Sequence, residues 1–221
     1  MEFHQFIQDA WGARWSIAQG TGVTLIISML AISLGTLLGI AVGMILTYGH
    51  WTLRLLIRIY TDFLRGTPVF VLILACFYIL AVVGIQLTAF EAGVFALTLF
   101  CSSHVGEIVR GALQAIPNGQ TEAAKALGLR KGLVLRLVVL PQALRVIIPP
   151  LTSQYLNLTK NSSLAILIGY YDLLNVSTTI FNQTGRAVEM ILLIMASYTL
   201  MSLLTSLVMN VYNRRMKLVE R

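Results

Sequence analysis

The sequence predicts an all-α integral membrane protein of five transmembrane helices, and three observations carry that prediction. Hydrophobic residues make up 57% of the 221 positions and charged residues only 11%, with a mean hydropathy of +0.81, outside the balance of a water-soluble domain. Apolar runs long enough to cross a hydrocarbon core about 30 Å thick, at about 1.5 Å per residue, recur along the chain. The basic excess, a net charge of +7, gathers in a few connections, which makes it a topology signal rather than a nucleic-acid patch. One transmembrane domain covering residues 1–221 is expected, with membrane lipid as its surroundings and nucleic acid excluded as a partner.

The first span is predicted over residues 20–47, where Gly35, Gly39 and Gly43 recur every four residues and allow a neighbouring backbone to come close. The second, 66–88, is uncharged and has Pro68 near its start, where a missing N–H costs least. The third, 90–113, runs on past its apolar part through Glu107 and Arg110, so ionisable groups enter the membrane there. The fourth, 133–156, contains Pro141, Pro149 and Pro150 and gives way to "TSQYLNLTKNSS", which predicts a broken or kinked backbone. The fifth, 190–213, is uncharged and ends in "RRMKLVER", a stop-transfer pattern.

Lys and Arg fix the orientation. The first connection holds Arg54, Arg58 and Arg65, the third Lys125, Arg130, Lys131 and Arg136, and the tail Arg214, Arg215, Lys217 and Arg221, whereas the second holds none. The positive-inside rule makes those three segments cytoplasmic, the N-terminus external and the C-terminus cytoplasmic. The opening "MEFHQFIQDAWGARW" is mixed in charge and unlike a cleaved leader. Cys76 and Cys101 sit inside apolar runs without a spacing that suggests zinc or a disulfide, so no metal site is expected.

Residues 117–132 read as a short cytoplasmic helix: Pro117 and Asn118 start it, Glu122 suits its positive end and Gly128 stops it. Ala123, Ala124 and Leu127 make a low apolar face flanked by Lys125, Arg130 and Lys131. Such a face fits another protein's groove or a layer of lipid headgroups.

Here the chain resembles a known family. Glu122, Ala123, Ala124, Gly128, Val138, Leu140 and Pro141 follow E-A-A-x3-G-x9-I-x-L-P, the signature of ABC importer permeases, with Val138 in place of isoleucine. "FLRGTPVFV", "GEIVRGALQAIPNGQTEAAKALG", "LPQALRVIIPPL" and "KNSSLA" are similar to permeases of polar amino acid importers, including glutamate/aspartate and general L-amino acid permeases. The resemblance implies a type I importer transmembrane domain in a bacterial inner membrane. It also implies that the short helix is a coupling helix, with Glu122, Ala123, Ala124, Gly128, Leu140 and Pro141 coupling it to the ATPase. The implied partners are a cytoplasmic ABC ATPase dimer, a second permease copy or a homologous permease, and a periplasmic amino-acid-binding protein. No P-loop pattern occurs in the sequence, so ATP and magnesium are expected on the ATPase, with no cofactor bound by this chain and no catalytic residues of its own.

For the substrate path the candidates are Thr67, Glu107, Arg110, Asn161, Ser162 and Ser163. Ser103, Glu107, Arg110 and Gln114 share one stripe of the third helix. Arg110 and Glu107 fit either a zwitterion's carboxylate and amine or an ion pair bracing the helix. Asn161 to Ser163 follow a proline-rich stretch and fit either a midplane contact or a solvated turn whose hydroxyls cap the next helix. Relatives that carry basic amino acids often place an acid near this point; Lys160 stands there instead, which favours acidic or neutral polar amino acids. Two other classes remain beside the importer: a secondary amino acid carrier, and a membrane-embedded enzyme using Glu107 and His104.

Overall fold

The computed structural model describes residues 11–216, with the side chains of residues 214–216 outside the description. The first ten residues, and Lys217 and Arg221 of the basic tail, lie outside the described residues, as do the side chains of Arg214 and Arg215. From Arg14 onward the described residues form, in order, the helical segments α1 Arg14–Tyr48, α2 Trp51–Gly66, α3 Val69–Val82, α4 Ala89–Gln114, α5 Asn118–Ala126, α6 Lys131–Ile168, α7 Leu173–Thr184 and α8 Ala187–Met216. No strand occurs among the described residues. Helices α1, α4, α6 and α8 are each long and apolar enough to cross a bilayer, and α2 with α3 makes a fifth span if the bent pair counts as one.

The helices depart from the expected pattern in three places. The segment between the first two spans is not merely a connection but the 16-residue helix α2. Its residues sort onto three faces: Thr61 and Leu64 are buried, Arg54, Arg58 and Arg65 share a charged face, and Leu56, Ile59 and Phe63 are exposed. The second span's helix is shorter than predicted, from Pro68 at the N-cap of α3 to a turn in which Gly84 adopts φ +92°.

The third difference is a correction: α6 is not broken at its prolines. It runs through Pro149 and Pro150, and "TSQYLNLTKN" is helical. Irregularity falls elsewhere, in a wide π-turn at Leu135–Val139 just before Pro141 and in a tight 3-10 segment at Ser162–Ile168. Pro141 has no N–H to give the ladder, and the wide turn ahead of it absorbs that loss. Gln142 Nε2 donates to the Val138 carbonyl at 2.8 Å, which satisfies an acceptor beside the irregular turn.

The chain divides into two compact units, the first Met1–Ser33, Thr67–Thr98 and Asn157–Leu204, the second Leu34–Gly66, Leu99–Leu156 and Thr205–Arg221. In the first, α3 packs on the 3-10 end of α6, and Ile27, Ile73, Leu97, Leu158 and Leu173 are fully buried. In the second, glycines let α1 and α4 approach closely. A Cβ at Gly43 would stand 2.6 Å from Val109 Cβ, one at Gly39 2.5 Å from Val105 Cβ, and one at Gly106 would collide with Val42. The four-residue glycine spacing therefore serves helix contact.

Candidate coupling and substrate-path sites

Helix α5 begins after Pro117, whose ψ of 134° is extended, and ends in a double-bonded turn. The Gly128 amide donates to the Lys125 carbonyl at 2.9 Å and the Leu129 amide to the Ala124 carbonyl at 3.2 Å. That pairing is a Schellman motif, and it holds Gly128 at φ +83°. Nothing lies within 4 Å of where a Gly128 Cβ would be, so backbone conformation rather than space demands glycine here.

The exposed face of α5 differs from the sequence expectation in one residue. Ala123 and Leu127 lie one turn apart and both are exposed, Leu127 by 83%. Ala124 is turned about 100° away and is 5% exposed, packing inward where α5 meets the π-turn of α6. Glu122 is exposed beside Ala123. Leu140 and Pro141 follow that π-turn and stand away from the exposed ridge in sequence, in the helix that α5 leans on.

On α4, Glu107 Oε2 accepts from Arg110 Nε at 3.0 Å and from Arg110 Nη2 at 2.6 Å, while Arg110 Nη1 donates to Gln114 Oε1 at 2.7 Å. Three of the four residues of the predicted stripe, Glu107, Arg110 and Gln114, are thus linked in one polar chain, which Ser103 does not join. Arg65 of α2 adds a second cation, 3.8 Å from Glu107, which sequence spacing on one helix gave no means of finding. Ser103 is fully buried and donates to the Phe100 carbonyl at 2.8 Å. His104 shares that carbonyl at 2.9 Å and stacks on Phe100 with ring centroids 4.3 Å apart. It serves packing, and no cluster of His, Cys, Asp or Glu among the described residues is suited to a metal.

Asn161 and Ser163 are half-buried at the change from α-helix to 3-10 helix, but Ser162 is fully buried and donates to the Thr159 carbonyl at 2.8 Å. The triplet is therefore inside helical structure rather than in a solvated loop. Ser163 donates to the Lys160 carbonyl at 2.7 Å. Thr67 is half-buried immediately before Pro68.

One polar group escaped the sequence reading. Asp172, fully buried, caps α7 by accepting from the Asn175 amide at 2.9 Å. Beside it, Thr24 Oγ1 donates to the Gly20 carbonyl at 2.9 Å and accepts from the Leu173 amide at 3.2 Å, so α1 is tied to the start of α7. Tyr198 Oη faces Asp172, Thr24 and Ser163, yet neither it nor Asp172 Oδ2 closes a hydrogen bond of good geometry. Burial, opposed by the Asn175 amide, pushes the Asp172 carboxyl up to about 6. The only sequence signal for this residue is an Asp ahead of an apolar helix, which is indistinguishable from an ordinary exposed cap.

Residues 35–218 match the family described as binding-protein-dependent transport system inner membrane component. The chain belongs to that family. Among its relatives, the general L-amino acid transport system permease protein AapQ of Rhizobium johnstonii is 59% identical over 57% of this chain and 32% of its own length. This chain thus spans about a third of that relative. The glutamine transport system permease protein GlnP of Escherichia coli is 31% identical over 96% of this chain and 100% of its own. A crystal structure of an amino acid ABC transporter with histidines superposes with a TM-score of 0.88 at 31% identity, covering 97% of this chain and 99% of that one. The all-helical architecture is shared with that solved structure.

Proposed function

We propose that this chain is the permease subunit of a binding-protein-dependent ABC importer, forming an inner-membrane path for acidic or neutral polar L-amino acids. The observation that carries the reading is the α5 ridge, Ala123 and Leu127 exposed and bounded by Gly128 at positive φ. An exposed leucine on a small rigid helix has the shape of a knob for another protein's groove. Here that groove belongs to a cytoplasmic ABC ATPase dimer, which binds ATP and magnesium and performs the hydrolysis. The basic segments support a cytoplasmic α5 and an external N-terminus. An external amino-acid-binding protein delivers substrate.

A second copy or a homologous permease completes the path. Only 6% of the most apolar stretch of α8 is buried within the chain, which leaves a face for lipid or for that partner. Neither the secondary carrier nor the membrane enzyme is favoured by the family match.

The test is reconstitution of the permease with its ATPase in vesicles, with the binding protein outside and ATP inside. Radiolabelled glutamate and glutamine should accumulate only when all components are present. Uptake by the chain alone, driven by an ion gradient, would overturn the reading in favour of a carrier. A cytoplasm-dependent reporter fused after Lys131 should be active and one fused after Leu174 silent; the reverse pattern would overturn the orientation.

A further inference from the structure

A cavity of about 610 Å³ opens where three spans end, among the last residues of α1 and α4 and the first turns of α6, with α5 as its remaining wall. Its size is that of a small-molecule site. Asn118, Thr121 and Lys125 line it from α5 and Lys131 from the start of α6, while buried Leu113 and Val139 form part of its apolar side. Asn118, Thr121 and Lys125 recur at i, i+3 and i+7, a single stripe of α5. On a helical wheel that stripe lies opposite Ala123 and Leu127. Docking of α5 through its outer ridge therefore leaves the cavity open.

Two cations converge here without a carboxylate. Neither Lys125 nor Lys131 takes part in an ion pair among the described residues, where Glu107 alone accepts salt bridges, from Arg65 and Arg110. The cavity's apolar lining comes from the ends of membrane spans, which places it at headgroup depth: phosphate beside the lysines, chain against Leu113 and Val139. A basic pocket between span ends on one membrane face suits an anionic lipid better than a zwitterionic one. The geometry points to a site for the headgroup of an anionic phospholipid, held by Lys125 and Lys131 behind the docking helix. Occupancy would brace α5 from its inner side while its outer ridge engages a partner.

The experiment is native mass spectrometry of the intact chain in mild detergent, with phosphatidylglycerol and phosphatidylcholine added at equal concentration. Phosphatidylglycerol adducts are expected to survive activation that strips phosphatidylcholine. Lys125→Gln or Lys131→Gln should each lower their retention about fivefold, and the double variant further. Lys160→Gln, outside the cavity, should leave retention unchanged. Both lysines are exposed, so the single substitutions leave folding intact, and Lys125→Arg with Lys131→Arg should preserve binding. Equal retention of the two lipids, or unchanged phosphatidylglycerol retention in the Gln variants, would overturn the site. Displacement of the adduct by soluble glycerol phosphate at equal concentration would also overturn it, because the pocket would then be reading phosphate without a membrane anchor.

Discussion

Glu107 and Arg110, one turn apart on α4, form a bidentate pair through a single carboxylate oxygen, Oε2, at 3.0 and 2.6 Å. The other oxygen, Oε1, is buried and has no hydrogen-bond partner. A carboxylate reserved for substrate would leave its charge uncommitted; this one is shared between Arg110 and, at 3.8 Å, Arg65. We propose that the pair braces the helix rather than binding substrate. Glu107→Gln should leave two guanidinium groups without their counter-charge and cost about 2 kcal/mol of stability. Thermal denaturation in detergent measures the loss, and uptake of glutamate and glutamine should fall in the same proportion. A changed ratio between the two would place Glu107 on the path.

Gly128 is required by its φ of +83°, since a Cβ there would meet nothing. Gly128→Val should therefore disrupt the end of α5 by about 1–2 kcal/mol, whereas Gly128→Asn, which tolerates this conformation, should retain most function. Substrate-stimulated ATP hydrolysis by the reconstituted complex distinguishes them. Equal loss in both would mean that side-chain bulk at a docking surface matters more than backbone conformation.

Asp172 supplies a pH dependence whose sign is fixed. Its carboxyl is raised from an ordinary value of 3.8 to about 6, so between those values the folded chain holds a proton that the unfolded chain has released. Stability from this group is greatest at low pH, falls as pH rises through about 6, and stays lower above it. Tyr170 is the titratable neighbour outside the spans, and it remains neutral through that window. Asp172→Asn keeps the cap on α7. It should melt higher than the parent at pH 7.5 and lose the slope between about pH 4 and pH 6, as followed by intrinsic fluorescence.

Asn161 is the residue of the hydroxyl-rich turn best placed to meet a ligand, because Ser162 is fully buried and Ser163 already donates to the Lys160 carbonyl. Asn161→Asp should reduce glutamate uptake at least about threefold relative to glutamine, through repulsion between like charges in a poorly solvated path. Transport with matched permease levels measures the ratio. An unchanged ratio at full activity would make the turn structural.

The sequence by itself determined what local chemistry controls. Apolar runs located the long helices, because a backbone in lipid must satisfy its own hydrogen bonds and so becomes helical. Gly128 located the end of α5, because left-handed backbone is open to few other residues. The three-residue step from Glu107 to Arg110 located their pair, since neighbours on a helix meet at that spacing. Tertiary structure decided what depends on distant chain. Pro149 and Pro150 stay within α6, while the irregular turns fall at Leu135–Val139 and Ser162–Ile168, and no local rule predicts where those turns fall. Ala124 faces inward because α5 leans on the π-turn of α6. Arg65 reaches Glu107 only once α2 lies beside α4. Asp172 is buried because the backbone it caps is held by Thr24, 149 positions from Leu173 in sequence; burial is a property of the packed chain, and no residue carries it alone.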